Sequence, residues 1–224
     1  MQQYQVKITG INPLLMHMDD IDWADKMESW KNDPANNIKG ATKSKAGDDR
    51  TPAWRWVGYA YSDGEHFALP TDNFMACLGA AGSMVPTGKG KKTLKAQSQS
   101  GMFMPDAFWP LLVDGALIPW APFEQLVRGN EQSFMATKEL AKQYGFDLLV
   151  KRATVGMSKH IRVRPIFRNW SCEGTVSVVD DEITQQALET LFTYGGSLKG
   201  IGDWRPGSKK PGRFGTFTAE VKRI

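Results

Sequence analysis

From Tyr4 to Thr9 apolar and polar residues alternate, with Tyr4, Val6 and Ile8 on one side, the period of a half-buried strand. Gly10 and Pro13 end it, and Leu14-Leu15-Met16 reads as a short buried continuation. Asp19 to Trp30 spaces apolar residues among acids and predicts one helix. Asn32 to Pro52 is polar, rich in Lys, Gly, Asp and Asn, and reads as a mobile insertion. Trp54 to Tyr61 is aromatic and strand-like; Ser62-Asp63-Gly64-Glu65 is a turn signal, and His66 to Leu69 returns as the partner strand. Pro70-Thr71-Asp72-Asn73 starts a helix whose small residues, Ala76, Gly79, Ala80, Ala81 and Gly82, suit close packing on a sheet.

The stretch GKGKKTLKAQSQSG reads as a basic loop. Leu111 to Ile118, with Asp114-Gly115 at its centre, predicts a second hairpin. Residues 122–145 predict two helical pieces, the second capped by Ser133. Strand character follows at Phe146–Thr154, Ile161–Phe167 and Trp170–Val179. After Asp180-Asp181-Glu182, whose carboxylates suit a helix N-terminus, Ile183, Ala187, Leu188, Leu191 and Phe192 share one helical face. Gly195 and Gly196 suit its left-handed end. A glycine-rich basic loop then leads to an alternating strand from Phe214 to Val221.

The 224 residues suffice for one large domain, and 41% hydrophobic with 23% charged residues is ordinary for a globular protein. No apolar run reaches the roughly 18 residues of a membrane span, and MQQYQVKITG lacks the pattern of a signal peptide, so the expected place is the cytoplasm. Cys77 and Cys172 stand far apart with no CxxC, which argues against a disulfide framework or a zinc site.

Charge changes the picture more than composition does. Residues 85–100, 151–168 and 199–215 together hold 15 of the 28 Lys/Arg and one of the 24 acids, Asp203. These segments carry +14 and the remaining 13 bases and 23 acids carry −10. Converging in space, they would make a basic face on an acidic body, the footprint of a nucleic-acid binder; the alternative is three separate solvated loops. In the middle segment Arg162, Arg164 and Arg168 stand against Ile161, Val163, Pro165 and Phe167, so a strand there puts three arginines on one face, able to contact phosphates bidentately. In the last segment Gly200, Gly202, Gly207, Gly212 and Gly215 are interleaved with bases, a pattern that suits backbone amides cradling a phosphate, or else a flexible loop. It is not a P-loop, because no GK[ST] opens a helix after a strand.

Stripped of insertions at 22–56 and 85–104, the order is strand, helix, strand, strand, helix, strand over one domain, 1–224. That is an α+β, ferredoxin-like βαββαβ arrangement, also used by RNA-recognition domains, although the aromatic motif of those domains is not evident. VKITGINPLLMH, LPTDNF, RVRPIFRNW and GGSLKGIGDWRPG with GRFG resemble a family of phage and prophage proteins, a likeness that brings no activity with it. The C-terminal helix, glycine loop and strand resemble the RAMP superfamily, the ferredoxin-like backbone and processing subunits of CRISPR effector complexes. Asp203-Trp204-Arg205-Pro206 departs from the more uniformly glycine-rich loop of that family. The resemblance implies binding of single-stranded RNA or DNA, in company with copies of itself or other effector subunits, and the two insertions as contacts between copies.

The expected interface is then Lys89, Lys91, Lys92 and Lys95 on one wall, Lys151, Arg152, Lys159, Arg162, Arg164 and Arg168 on another, and Lys199, Arg205, Lys209, Lys210 and Arg213 from the glycine loop. No cofactor and no metal is implied, and catalysis is not expected. His17, with Asp19, Asp20 and Asp22, reads as a solvated acidic loop rather than a metal site, and no HExxH or paired-ligand spacing occurs. Two alternatives stay open: a metal-independent ribonuclease using His160 as general acid or base, as processing members of that superfamily work, and a phage structural or assembly protein.

Overall fold

The alternation at the N-terminus becomes the central strand of the largest sheet. The computed structural model describes residues 1–18, 21–36, 51–88, 90–155 and 158–224, with 152–155 and 158–160 described through their backbone. In chain order the strands are β1 (Gln2–Gly10), β2 (Leu14–Leu15), β3 (Ala68–Pro70), β4 (Met102–Phe103), β5 (Phe108–Pro110), β6 (Leu112–Val113), β7 (Ala116–Leu117), β8 (Asp147–Val155), β9 (Ser158–Phe167), β10 (Trp170–Val178) and β11 (Phe217–Arg223). The helices are α1 (Ile21–Asn32), α2 (Thr71–Gly82), α3 (Lys95–Ser100), α4 (Ala121–Arg128), α5 (Phe134–Gln143) and α6 (Gln185–Tyr194). The class is α+β with antiparallel sheets.

The main sheet runs β11-β1-β10-β6-β7, with β4 also paired to β10. Tyr4, Val6 and Ile8 point into the core, where Phe74 and Leu78 of α2 and Leu188, Leu191 and Phe192 of α6 are fully buried beside them. Val6 lies opposite Gly174. A side chain at Gly174 would collide with the Trp109 indole, so this glycine is the seat of that ring, which stacks 4.9 Å from Phe74. The other face is polar: Gln3, Gln5, Lys7 and Thr9 are exposed, and Lys7 stands opposite Glu173 on one neighbour and Glu220 on the other.

A second sheet, β2-β9-β8, is a long ribbon anchored at one end by the two-residue β2. The chain passes from the main sheet to the ribbon between Gly10 and Leu14, so the predicted buried continuation is a strand in a different sheet. Beneath the ribbon Phe67 packs edge-on against Phe123 (5.0 Å) and Phe167 (5.9 Å), and Phe146 lies 4.8 Å from Phe167.

Several expectations change. Trp54–Tyr61 is not a strand but a 3-10 turn over Arg55–Tyr59, closed by the Val57 amide donating to Trp54 O (2.9 Å) and the Ala60 amide to Val57 O (3.0 Å), which buries Trp56 and Val57 together. His66–Leu69 accordingly returns into β3, which pairs with β5, leaving one bridge from Ser62 to Phe67. The basic loop after α2 contains α3, whose Ser98 sits against Gly82 with Leu94 buried beside it. The 22–56 segment is built in as far as it is described. Trp23 lies over Gly58 and 5.4 Å from Trp54, and Asn130 Oδ1 accepts from the indoles of both Trp30 (3.2 Å) and Trp54 (3.1 Å). Residues 37–50 lie outside the described residues. The acidic run 180–182 forms a turn, and α6 starts later, capped by Thr184 Oγ1, which accepts from the Ala187 amide. Gly195 is right-handed; a π turn continues to Lys199, and Gly200 (φ +65°) makes the left-handed exit. No helix among the described residues is long and apolar enough to cross a membrane.

Gly174→Ala should force the Trp109 ring out of its seat and cost about 1–3 kcal/mol, as overpacking of a filled core does. The midpoint of urea unfolding measures it, and an unchanged midpoint would mean that the ring relocates freely.

Candidate nucleic-acid interface

The site is built around β2. Leu14 and Leu15 pair with Phe167 and Ile166 of β9, and the Met16 amide donates to Pro165 O. On the other side the glycine loop is stitched to the same residues: Gly215 N donates to Pro13 O and Asp203 N to Leu15 O, both at 2.8 Å. A side chain on Gly202 would strike Leu15 O, and Gly202 is left-handed (φ +73°), so glycine is required there. The consequence is that residues 199–215 lie against the ribbon, and two of the three basic segments meet.

They meet through the single acid. Asp203 Oδ2 stands 2.7 Å from Arg164 Nη1, with the two side chains 27% and 15% exposed. His17 Nδ1 is 3.7 Å from the same oxygen, a long contact, so the Arg164 pair is the firmer of the two. Burial pushes the Asp203 carboxyl up, but the contact with His17, the charges of Arg164 and His17 and the Trp204 amide together hold it below its ordinary value. Burial lowers the Arg164 pKa, Asp203 opposes that, and the like charge of Arg162 adds to it. Among the described residues Oδ2 has no well-aligned donor and the buried Arg164 Nε has no acceptor, so this contact is an ion pair more than a hydrogen bond. Tyr59 packs edge-on against His17, with ring centroids 4.6 Å apart, and fixes its position.

Beside the pair, Trp204 takes a left-handed backbone (φ +52°), with its amide donating to Asp203 Oδ1 at 2.9 Å. Its ring lies 5.6 Å from Phe214 and carries Lys151 Nζ 3.9 Å from its centroid, a cation–π contact. Lys151 is directly opposite Arg162 in the ribbon, and Leu149 opposite Arg164.

The loop glycines do not form an open amide cradle. Side chains at Gly212 and Gly215 would collide with the carbonyls of Trp204 and Ile201. The amides of Ile201, Asp203, Gly207, Gly212, Phe214 and Gly215 all donate to carbonyls of the chain itself. The loop is a packed structure rather than a flexible one, and what it offers to a ligand is side chains.

The expected interface residues therefore divide. Lys151 and Arg162 share the ribbon face; Arg164 shares it too but is engaged by Asp203. Arg168 lies beyond the end of β9 and is exposed. In the loop Arg205 Nη1 turns back to donate to Gly202 O (3.0 Å). The charges of Lys199 and Arg205 reach Cys77 of α2, whose thiol burial pushes up to about 12 against their pull. This pair serves the α2 side of the loop, while Lys209, Lys210 and Arg213 are exposed near its tip. Lys91, Lys92 and Lys95 are exposed on a segment that packs on α2 through α3, away from the pairing that joins the loop to the ribbon. Lys89 and the side chains of Arg152, Lys159 and His160 lie outside what the structure describes. Sequence reasoning placed His17 in an acidic loop and missed its approach to Asp203, 186 positions away. The available signal was that Asp203 is the lone acid among fifteen bases.

Among the described residues no group of three or more His, Cys, Asp or Glu could hold a metal ion, and Asp19 and Asp20 lie outside them. No protein-family model matches the chain, and no curated protein matches it.

Arg164→Ala leaves the half-buried Asp203 carboxylate with the longer His17 contact and the Trp204 amide, and should cost about 1–3 kcal/mol, less than the loss of a fully buried partner because water still reaches the site. The pH dependence separates charge from packing. With its folded pKa depressed, Asp203 stabilises fully above the ordinary value of about 3.9 and loses its contribution as pH falls through the folded value. The stability gap between wild type and Asp203→Asn, measured by chemical unfolding, should close as pH falls below about 3.9 and through the lower folded value.

Proposed function

We propose that the protein binds single-stranded nucleic acid along the basic face of the β8–β9 ribbon, with the glycine loop as its flank. The observation that carries this is the cross-strand pair Lys151–Arg162. Like charges directly opposite on adjacent strands cost stability, and here Arg164 adds a third charge on the same face with one carboxylate to offset all three. A polyanion is the partner that turns this cost into binding energy. The Trp204 and Phe214 rings beside Lys151 add a surface on which a base can stack. The main sheet is a poorer platform: its open face has no aromatic side chain on β1, and Lys7 there is matched by Glu173 and Glu220.

We read β1, α2, β4, β10, α6 and β11 as a ferredoxin-like core. The spatial order β11-β1-β10-β4, antiparallel throughout, with two helices on one face, supports that reading. In the same RAMP-like reading, copies of the protein or other subunits line up along the strand. Binding is non-catalytic in this account.

The test is fluorescence anisotropy of a labelled single-stranded oligonucleotide over a range of salt. Affinity should fall steeply with salt, and Lys151→Ala with Arg162→Ala should reduce the log–log slope by about 0.7 per contact removed while lowering affinity. Lys7→Ala should change neither. Equal slopes for wild type and the double variant would remove the ribbon from the interface.

A further inference from the structure

Next to the ribbon face lies a second feature that no expectation from sequence anticipated. A groove of about 830 Å³ runs between α1 and the 3-10 turn at Arg55–Tyr59, with Arg162 and His17 also in its lining. Its size is that of a small-ligand site. Arg55, Arg162 and Lys31 supply three cations to its lining and Glu28 one acid. Neither Arg55 nor Arg162 has a carboxylate within ion-pair distance among the described residues. The lining also holds the rings of Trp23 and Tyr59.

These rings are fixed before any ligand arrives. Trp23 is seated over Gly58 and stacks edge-on with Trp54. Tyr59 is held by His17 at 4.6 Å, and its carbonyl accepts from the Met18 amide (3.0 Å). The Arg55 guanidinium lies 5.8 Å from the centroid of the Tyr59 ring. Fixed aromatic rings beside unpaired guanidinium groups fit a planar base joined to a phosphate. An acidic peptide would use the cations and leave the rings idle; a neutral apolar ligand would do the reverse.

We infer that this groove takes one nucleotide unit of the bound strand, its phosphate between Arg55 and Arg162 and its base against Tyr59 or Trp23. The inference rests on the proposed binding along the ribbon and deepens it. Arg162 belongs to both places: it faces Lys151 across the ribbon and lines the groove. A strand lying on the ribbon thus reaches the groove without leaving a cationic surface, passing the Asp203–Arg164 pair and His17 on the way. The groove adds a second, concave aromatic site that fixes the strand's position along the protein.

The experiment combines one substitution series with crosslink mapping. A single-stranded oligonucleotide carrying 5-iodouracil is bound to the full chain, irradiated, and the crosslinked peptides are identified by mass spectrometry. Crosslinks at Tyr59 or Trp23 are expected. Arg55→Gln should weaken binding about tenfold, the scale of one charged contact, and Arg55→Lys should recover most of it. Far-ultraviolet circular dichroism of both variants checks that they are folded. Binding that is retained with Arg55→Gln unaffected and crosslinks confined to Trp204, Phe214 or other residues outside the groove would overturn the groove and leave the ribbon reading standing. Wild-type protein that binds no single strand at low salt would overturn both.

Discussion

Everything that positions the candidate site depends on the backbone of Pro13 to Met18. Pro13 O and Leu15 O hold the glycine loop, while Leu14, Leu15 and Met16 hold β9. Beyond them the Tyr61 hydroxyl donates to His17 O (3.1 Å) and the Met18 amide to Tyr59 O, so the same short segment also ties down the 3-10 turn. Leu14, Leu15 and Met16 are fully buried, which keeps water from competing for these bonds. One extended segment between a main sheet and a ribbon therefore serves three neighbours, and the geometry of loop, ribbon and turn is a single unit.

On that frame the electrostatics follow. Bringing residues 151–168 against 199–215 concentrates like charge, which a folded chain tolerates where the charges are solvated or matched. Asp203 matches the one arginine that burial isolates, and Lys151 spreads its charge over the Trp204 ring. Among the described residues Arg162 has no carboxylate partner, and it stands between the ribbon and the groove. The acidic remainder of the molecule, including the sheet face where Lys7 meets two glutamates, makes this basic surface the exception on the protein.

Much of this was legible in the sequence, for reasons that differ between elements. β1, β10 and α6 have the clean periods of elements that bury one face, and the Asp114-Gly115 hairpin and the Ser133 cap declare themselves by local chemistry, with Asp114 at φ +50° and Ser133 Oγ accepting from the Ala136 amide. Trp54–Tyr61 misled because aromatic content favours a strand, whereas its partners, Trp23 and Asn130, come from elsewhere in the chain and no local period encodes them. The loop glycines were read for what they might admit; their role is what they avoid, the carbonyls of Leu15, Trp204 and Ile201. Charge counting pointed to the convergence of three basic segments, of which two meet; it could not say that Asp203 is the joint or that Arg164 is its partner. No spacing along the chain encodes the meeting of His17, Arg55, Tyr59 and Trp23, because their groove is assembled from a helix, a turn and a ribbon.

The most direct test of the account is whether the protein carries nucleic acid from the cell. Purified without nuclease treatment at low salt, it should show a raised ratio of absorbance at 260 to 280 nm. The bound material should be digested by RNase or by a single-strand-specific DNase, which also decides between the two polymers. A protein that elutes free of nucleic acid and ignores short single strands of both kinds at low salt would contradict the account, and the Lys151–Arg162 face would then need another partner.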